Sequence, residues 1–234
     1  MSSSVPALLR DVVAQTFLAR LPSALVADVL SGGRRIDVRR GTELLANPKK
    51  PGVTIVVDGL VRVFLRSNED RQVTVRYARP GETLGLVHFM RAKLVVHAQT
   101  VTDTTLWAIS PRKLRTLAEA STPLTTAIAE DCAARVADAL EELAFATFGT
   151  VRQRVARHLL DLAAADDDED ALVATVTPKS LAEATGSVRE VIARVLKQLA
   201  AAGVIEKRGS EIVVLDASKL DAEARGTIHD PAEK

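Results

Sequence analysis

The chain has 234 residues, enough for one large domain or two small ones, and 47% of them are hydrophobic, enough to fill a core. A net charge of +1 rules out a polycation, so any nucleic-acid surface must be a local patch, and an aromatic content of 3% argues against stacking single-stranded bases. A single cysteine, Cys132, excludes an internal disulfide and cannot supply the thiolates of an iron–sulfur cluster or a structural zinc site.

The N-terminus lacks a charged segment followed by a long apolar run, and no stretch approaches ~18 uninterrupted apolar residues. Neither a secretory leader nor a membrane span is expected, and a cytoplasmic protein is. Val12 to Leu30 reads as one or two short helices. From Arg35 to Ile109 the pattern changes to valine-rich alternation with frequent turn signals. Thr54-Ile-Val-Val and Leu60-Val-Arg-Val-Phe-Leu flank Asp58-Gly59, a dipeptide that predicts a two-residue hairpin. Val73–Tyr77, Leu94–Thr100 and Thr104–Ile109 are further strands, and short strands at regular spacing predict a small antiparallel barrel or sandwich.

Ser110-Pro111 opens a helix, with serine as N-cap and proline at the first helical position. A long helix follows over Leu124–Phe148. In it Ile128, Cys132, Val136, Ala139, Leu143 and Ala146 recur at spacings of 4, 4, 3, 4 and 3, an a/d seam. The seam fits either packing on the chain's own barrel or pairing with a second copy. The helix's length, and its position between two differently patterned halves, favour pairing. Val151–Ala165 is the next helix, and the acidic run 166–170 is a solvated loop. Calcium loops need spaced ligands and a glycine bend, and neither is present there.

Thr177-Pro178 starts a helix that runs to Thr185, Gly186 supplies a tight turn, and Ser187 opens a second helix that ends near Ala202 before Gly203. Two short helices joined through glycine make a helix-turn-helix. Val188, Val191, Ile192, Val195, Leu196 and Leu199 share one side of the second helix and are expected to be buried. Arg189, Glu190, Ala193, Arg194 and Lys197 share the other. Arginine donates twice to guanine and glutamate accepts from cytosine, so Arg189, Glu190 and Arg194 are candidate base readers. Lys197 and Ser187 suit phosphates, and Thr177 and Lys179 join the DNA-contacting set. The same Ser187-x-x-Glu190 also satisfies a capping box, which leaves Glu190 a structural alternative. Val204 to Leu215 reads as two strands around Arg208-Gly209-Ser210, a wing. Between Thr175 and Arg208, 6 basic residues face 3 acidic ones, a local excess that suits a phosphate surface.

These residues resemble the cyclic-AMP receptor protein (CRP/FNR) family of bacterial regulators. The likeness runs without a gap over Val176–Leu199, including Leu181-Ala182, Gly186, Arg189-Glu190 and Arg194. It continues in Val151–Ala163 through Arg154, Val155, Ala156, Leu159-Leu160 and Leu162-Ala163, and covers nearly the whole chain. The resemblance implies an α+β chain. An N-terminal cyclic-nucleotide-binding-like β-barrel (a jelly roll, residues 1–120) leads into a dimerisation helix and hinge near Gly149 (121–149). A winged helix-turn-helix (150–220) and a tail (221–234) follow. It also implies a homodimer on palindromic TGTGA-like promoter DNA, with RNA polymerase as a partner.

The effector region departs from the family pattern. Gly81-Glu82 matches the turn before the family's phosphate cassette, but Gly85-Leu86 stands where Gly-Glu is expected and Leu94-Val95 where Arg-Ser is expected. Arg91 and Lys93 are out of register, and Ala139 and Leu140 occupy the positions that bond the adenine. A phosphate buried without arginine is poorly compensated, so cyclic AMP is not the expected ligand. His88 and His97 keep a haem-based sensor as an alternative. A barrel metalloenzyme would need clustered ligands, which four scattered histidines do not give. A non-specific architectural binder would be more basic overall.

Overall fold

Near-continuous apolar runs make residues 53–58 and 104–109 strands with both faces covered, so the sheet they centre must have a packing layer on each side. The computed structural model describes residues 5–44, 52–69, 72–90, 95–165 and 172–224. The chain divides into two compact units, residues 1–65 with 75–139, and residues 66–74 with 140–234.

In the first unit, α1 (Arg10–Val13) and α2 (Ser23–Leu30) precede β1 (Arg34–Val38), β2 (Glu43–Leu44), β3 (Val53–Asp58) and β4 (Val61–Arg66). Next come β5 (Gln72–Ala78), β6 (Thr83–Leu84), α3 (Leu86–Phe89), β7 (His97–Thr100) and β8 (Thr104–Ile109). The strands form two sheets, ordered β1-β8-β3-β6 and β2-β7-β4-β5. Val56 and Leu106 of one sheet and Val61, Val63 and Ala78 of the other fill the space between them, the interior of a jelly roll. Val53, Ile55 and Ile109 point the opposite way, into a second core with Leu9 and Leu18 of the N-terminal segment, Val29 and Leu30 of α2 and Phe89 of α3.

Asp58-Gly59 does not close a hairpin. β3 and β4 belong to different sheets, so this turn carries the chain from one sheet to the other. It is tied to the β7–β8 turn, which makes the same crossing: Leu60 N donates to Thr102 Oγ1 (2.9 Å) and Val101 N to Leu60 O (2.8 Å). Gly59 has φ +90°, and a Cβ there would stand 2.5 Å from Asp103 O. The turn residue reports a reversal and close packing, not which strand pairs with which.

Ser110 caps α4 (Pro111–Ala120) by accepting from Lys113 N at 3.4 Å. The long helix α5 (Thr122–Phe148) begins two residues earlier than the seam suggested. Leu124 and Ile128 are buried in the helical core, and Cys132 packs against it. Further on, Val136, Leu140 and Leu143 are 59%, 60% and 62% exposed.

The second unit contains α6 (Val151–Leu162), β9 (Ala164–Ala165), β10 (Leu172–Thr175), α7 (Pro178–Thr185), α8 (Arg189–Ala201), β11 (Ile205–Arg208), β12 (Glu211–Val214) and α9 (Ala217–Ala224). α6 stops at Leu162 rather than Ala165, because Ala164-Ala165 pair antiparallel with β10. The wing is therefore the edge of a four-stranded sheet, β11-β12-β10-β9. The acidic run 166–170 lies outside the described residues. Residues 221–224, expected from sequence to begin a tail, are the last turn of α9, whose Leu220 and Ala224 are buried.

Candidate nucleic-acid interface

Local chemistry shapes the helix-turn-helix. Thr177 caps α7 in a reciprocal box with Ser180, and Pro178 takes the first helical position, where its missing N–H costs nothing. Gly186 ends α7 at φ +62°, a left-handed conformation that glycine adopts without strain. Ser187 N then donates to Ala182 O at 2.9 Å. Val188, not Ser187, is the N-cap of α8, and no side chain caps that helix, so the Ser187/Glu190 box does not form.

Ile192, Val195, Leu196 and Leu199 are buried, in a unit where α6, α7 and α8 pack on one another. Val191 is half-buried. Val188 departs from the predicted stripe: its backbone is extended (φ −107°, ψ 153°), which takes the side chain off the buried face. The opposite face carries Arg189, Glu190, Arg194 and Lys197, all exposed, and none of them forms a side-chain hydrogen bond or ion pair with another described residue. Glu190 lies in the first turn of α8, where the helix dipole favours an acid. Lys179 is exposed but sits 3.8 Å from Glu183, and Ser187 is half-buried.

Two arginines of α6 brace this arrangement. Arg154 donates from Nε to Thr185 O (3.1 Å) and from Nη1 to Gly149 O (2.7 Å). One guanidinium thus serves the carbonyl ends of two helices, α7 and α5, where a cation is favoured. Arg152 grips Glu223 of α9 in a two-pronged pair (2.6 and 2.7 Å), and hydrogen bonding from that guanidinium holds the Glu223 carboxyl below its ordinary value. At the wing, Arg208 pairs with Glu211 across a two-residue turn in which Gly209 has φ +62°. Lys207 on β11 is exposed beside it. The basic excess of the sequence includes Lys207 without singling it out. Strand alternation would place it on the face of the buried Ile205, so no local signal marks it.

In the first unit, the candidate effector residues divide. Gly81 and Gly85 are turn residues with φ +90° and +82°. The Glu82 carboxylate accepts from Arg79 N (2.8 Å) and pairs with Arg76 (3.3 Å) and Arg135 (2.6 Å). Arg135 also meets Asp131 and Asp138 on its own helix. Ala139 and Leu140 are exposed on α5, and Arg91 and Lys93 lie outside the described residues. His88 is on α3. His97 is bonded to Glu43 (2.8 Å) and stacked on Phe64.

An uncommitted basic helix face beside a wing, carried by a chain with a separate two-sheet jelly roll, defines a DNA-binding transcriptional regulator. A cyclic nucleotide-binding domain model matches residues 35–121, and a Crp-like helix-turn-helix domain model matches residues 153–223. The transcriptional regulator SdrP of Thermus thermophilus is 30% identical over 177 residues, 73% of this chain and 84% of that protein. The cAMP-activated global regulator CRP of Salmonella typhimurium is 25% identical over 166 residues, 68% of this chain and 78% of that one. The crystal structure of a CRP/FNR-family transcriptional regulator from Thermus thermophilus superposes with a TM-score of 0.68 at 25% identity, covering 82% of this chain and 98% of that one. The chain belongs to the CRP/FNR family of transcriptional regulators.

Proposed function

We propose that two copies of the chain pair through α5 and bind a palindromic TGTGA-like promoter duplex. Each copy inserts α8 into the major groove. Arg189 and Arg194 read guanines and Glu190 accepts from a cytosine amino group. Ser187, Thr177, Lys179 and Lys197 hold the backbone, with Lys207 of the wing alongside. The chain acts by binding rather than by catalysis, and RNA polymerase is its partner at the promoter. The observation that carries this reading is the set of four charged side chains on one exposed face of α8, none engaged by another described residue. Pairing through α5 is supported by the apolar row Val136, Leu140 and Leu143, which the protomer leaves in water.

Cyclic AMP is not the controlling ligand. Leu86, where the family's carboxylate is expected, is apolar and buried, and Ala139 and Leu140 have no polar side-chain atom for a base. Of the two histidines that would suit a haem-based sensor, His97 is engaged by Glu43 and stacked on Phe64.

Selection of bound duplexes from a random pool, with and without cell extract, tests the reading. A palindrome should emerge, sharpened by extract if a small molecule controls affinity. Recovery of random sequence under both conditions contradicts it.

A further inference from the structure

Val188 breaks two local rules at once. It is the N-cap of α8, where Ser, Thr, Asp or Asn would hold the first free amides, and valine is among the poorest residues there. It also lies at helical spacing from Ile192 and Val195, yet its side chain is 58% exposed rather than buried with theirs. Ser187, with a hydroxyl able to cap, stands one position too early. A lone exposed valine needs no explanation. One that replaces a capping residue at the mouth of a helix whose next two side chains, Arg189 and Glu190, are exposed and uncommitted is different. Local rules are broken in this way where function demands it.

The N-terminal residues of a recognition helix are those that reach base edges. The apolar feature the major groove offers there is the 5-methyl group of thymine. The geometry points to Val188 as a specificity residue that packs its γ-methyls on the 5-methyl of a thymine next to the base pair read by Arg189. The assignment rests on α8 being the DNA-reading helix. One buried methyl corresponds to about fourfold in affinity, or about 0.8 kcal/mol.

Uracil tests it, because it keeps every hydrogen-bonding group of thymine and lacks only the methyl. Full-length protein is titrated by fluorescence anisotropy against its selected duplex, with each thymine replaced by uracil in turn. One position in each half-site should cost the wild type about fourfold per contact. Val188→Ser should be indifferent to uracil there while keeping its other base preferences. Serine is a good N-cap, so the variant's thermal midpoint should equal or exceed that of the wild type. Wild-type indifference to uracil at every thymine, or an unchanged penalty in Val188→Ser, overturns the thymine contact while leaving α8 as the reading helix. Equal binding to all duplexes overturns both.

Discussion

Arg135 Nη1 lies 2.6 Å from Glu82 Oε1, which joins the long helix α5 to the turn that opens β6. Thr83 strengthens the junction by donating to Asp131 at 2.9 Å, and Arg76 reaches Thr83 O at 2.6 Å. A charged network thus fastens the barrel to the helix that the proposal makes the dimer axis.

Glu82→Ala leaves two half-buried guanidinium groups without their shared partner. Loss of one member of such a pair costs about 1–3 kcal/mol. Urea unfolding of the variant should show a lower midpoint, with Glu82→Gln falling between it and the wild type. A midpoint unchanged in Glu82→Ala contradicts a structural role for the network.

Arg154→Lys keeps the charge but not the fork that reaches Gly149 O and Thr185 O together. We expect a loss of about 1–2 kcal/mol in stability and faster amide exchange at the start of α8. Exchange that speeds only in α9 would contradict the coupling.

The Arg152–Glu223 pair gives a pH dependence of defined sign. Glu223 is depressed in the folded state, so its contribution is present above the ordinary glutamate range and is lost as pH falls through the folded value. Partial exposure limits it to roughly 1 kcal/mol or less. The urea midpoint of the wild type should fall more steeply below about pH 5 than that of Glu223→Gln, with the two parallel above it. Curves parallel throughout would contradict the assignment.

Leu140→Asp with Leu143→Asp places two charges on the apolar row of α5. Both residues are exposed in the protomer, so folding should survive. Sedimentation velocity should show a dimeric wild type and a monomeric variant. A monomeric wild type at micromolar concentration contradicts pairing through α5.

Much of this architecture is legible in the sequence because its local signals are unambiguous. Thr177-Pro178, Gly186 and Gly203 mark α7 and α8 within a residue or two, and helical spacing places Ile192, Val195, Leu196 and Leu199 inside. The departures share a cause. Asp58-Gly59 suggests a hairpin because a turn dipeptide carries no information about long-range pairing. Val188 looks buried only if the helical pattern is extended one residue past the helix start. β9 escapes detection because two residues give no alternation, and β10 because it lacks the glycine turn that reveals the equally short β11 and β12. The engagement of Glu82 by Arg135 joins residues 53 positions apart and has no sequence signal at all.

Methylation interference on the selected duplex shows whether α8 sits in the major groove. Arginines that read guanine from α8 contact O6 and N7 in the major groove, so a methyl at N7 blocks them. Interference is expected at guanine N7 in both half-sites, symmetric about the palindrome and about one helical turn apart, weakened at one guanine by Arg189→Ala and at another by Arg194→Ala. Interference confined to adenine N3 in the minor groove, or none at any base, would contradict major-groove reading by α8.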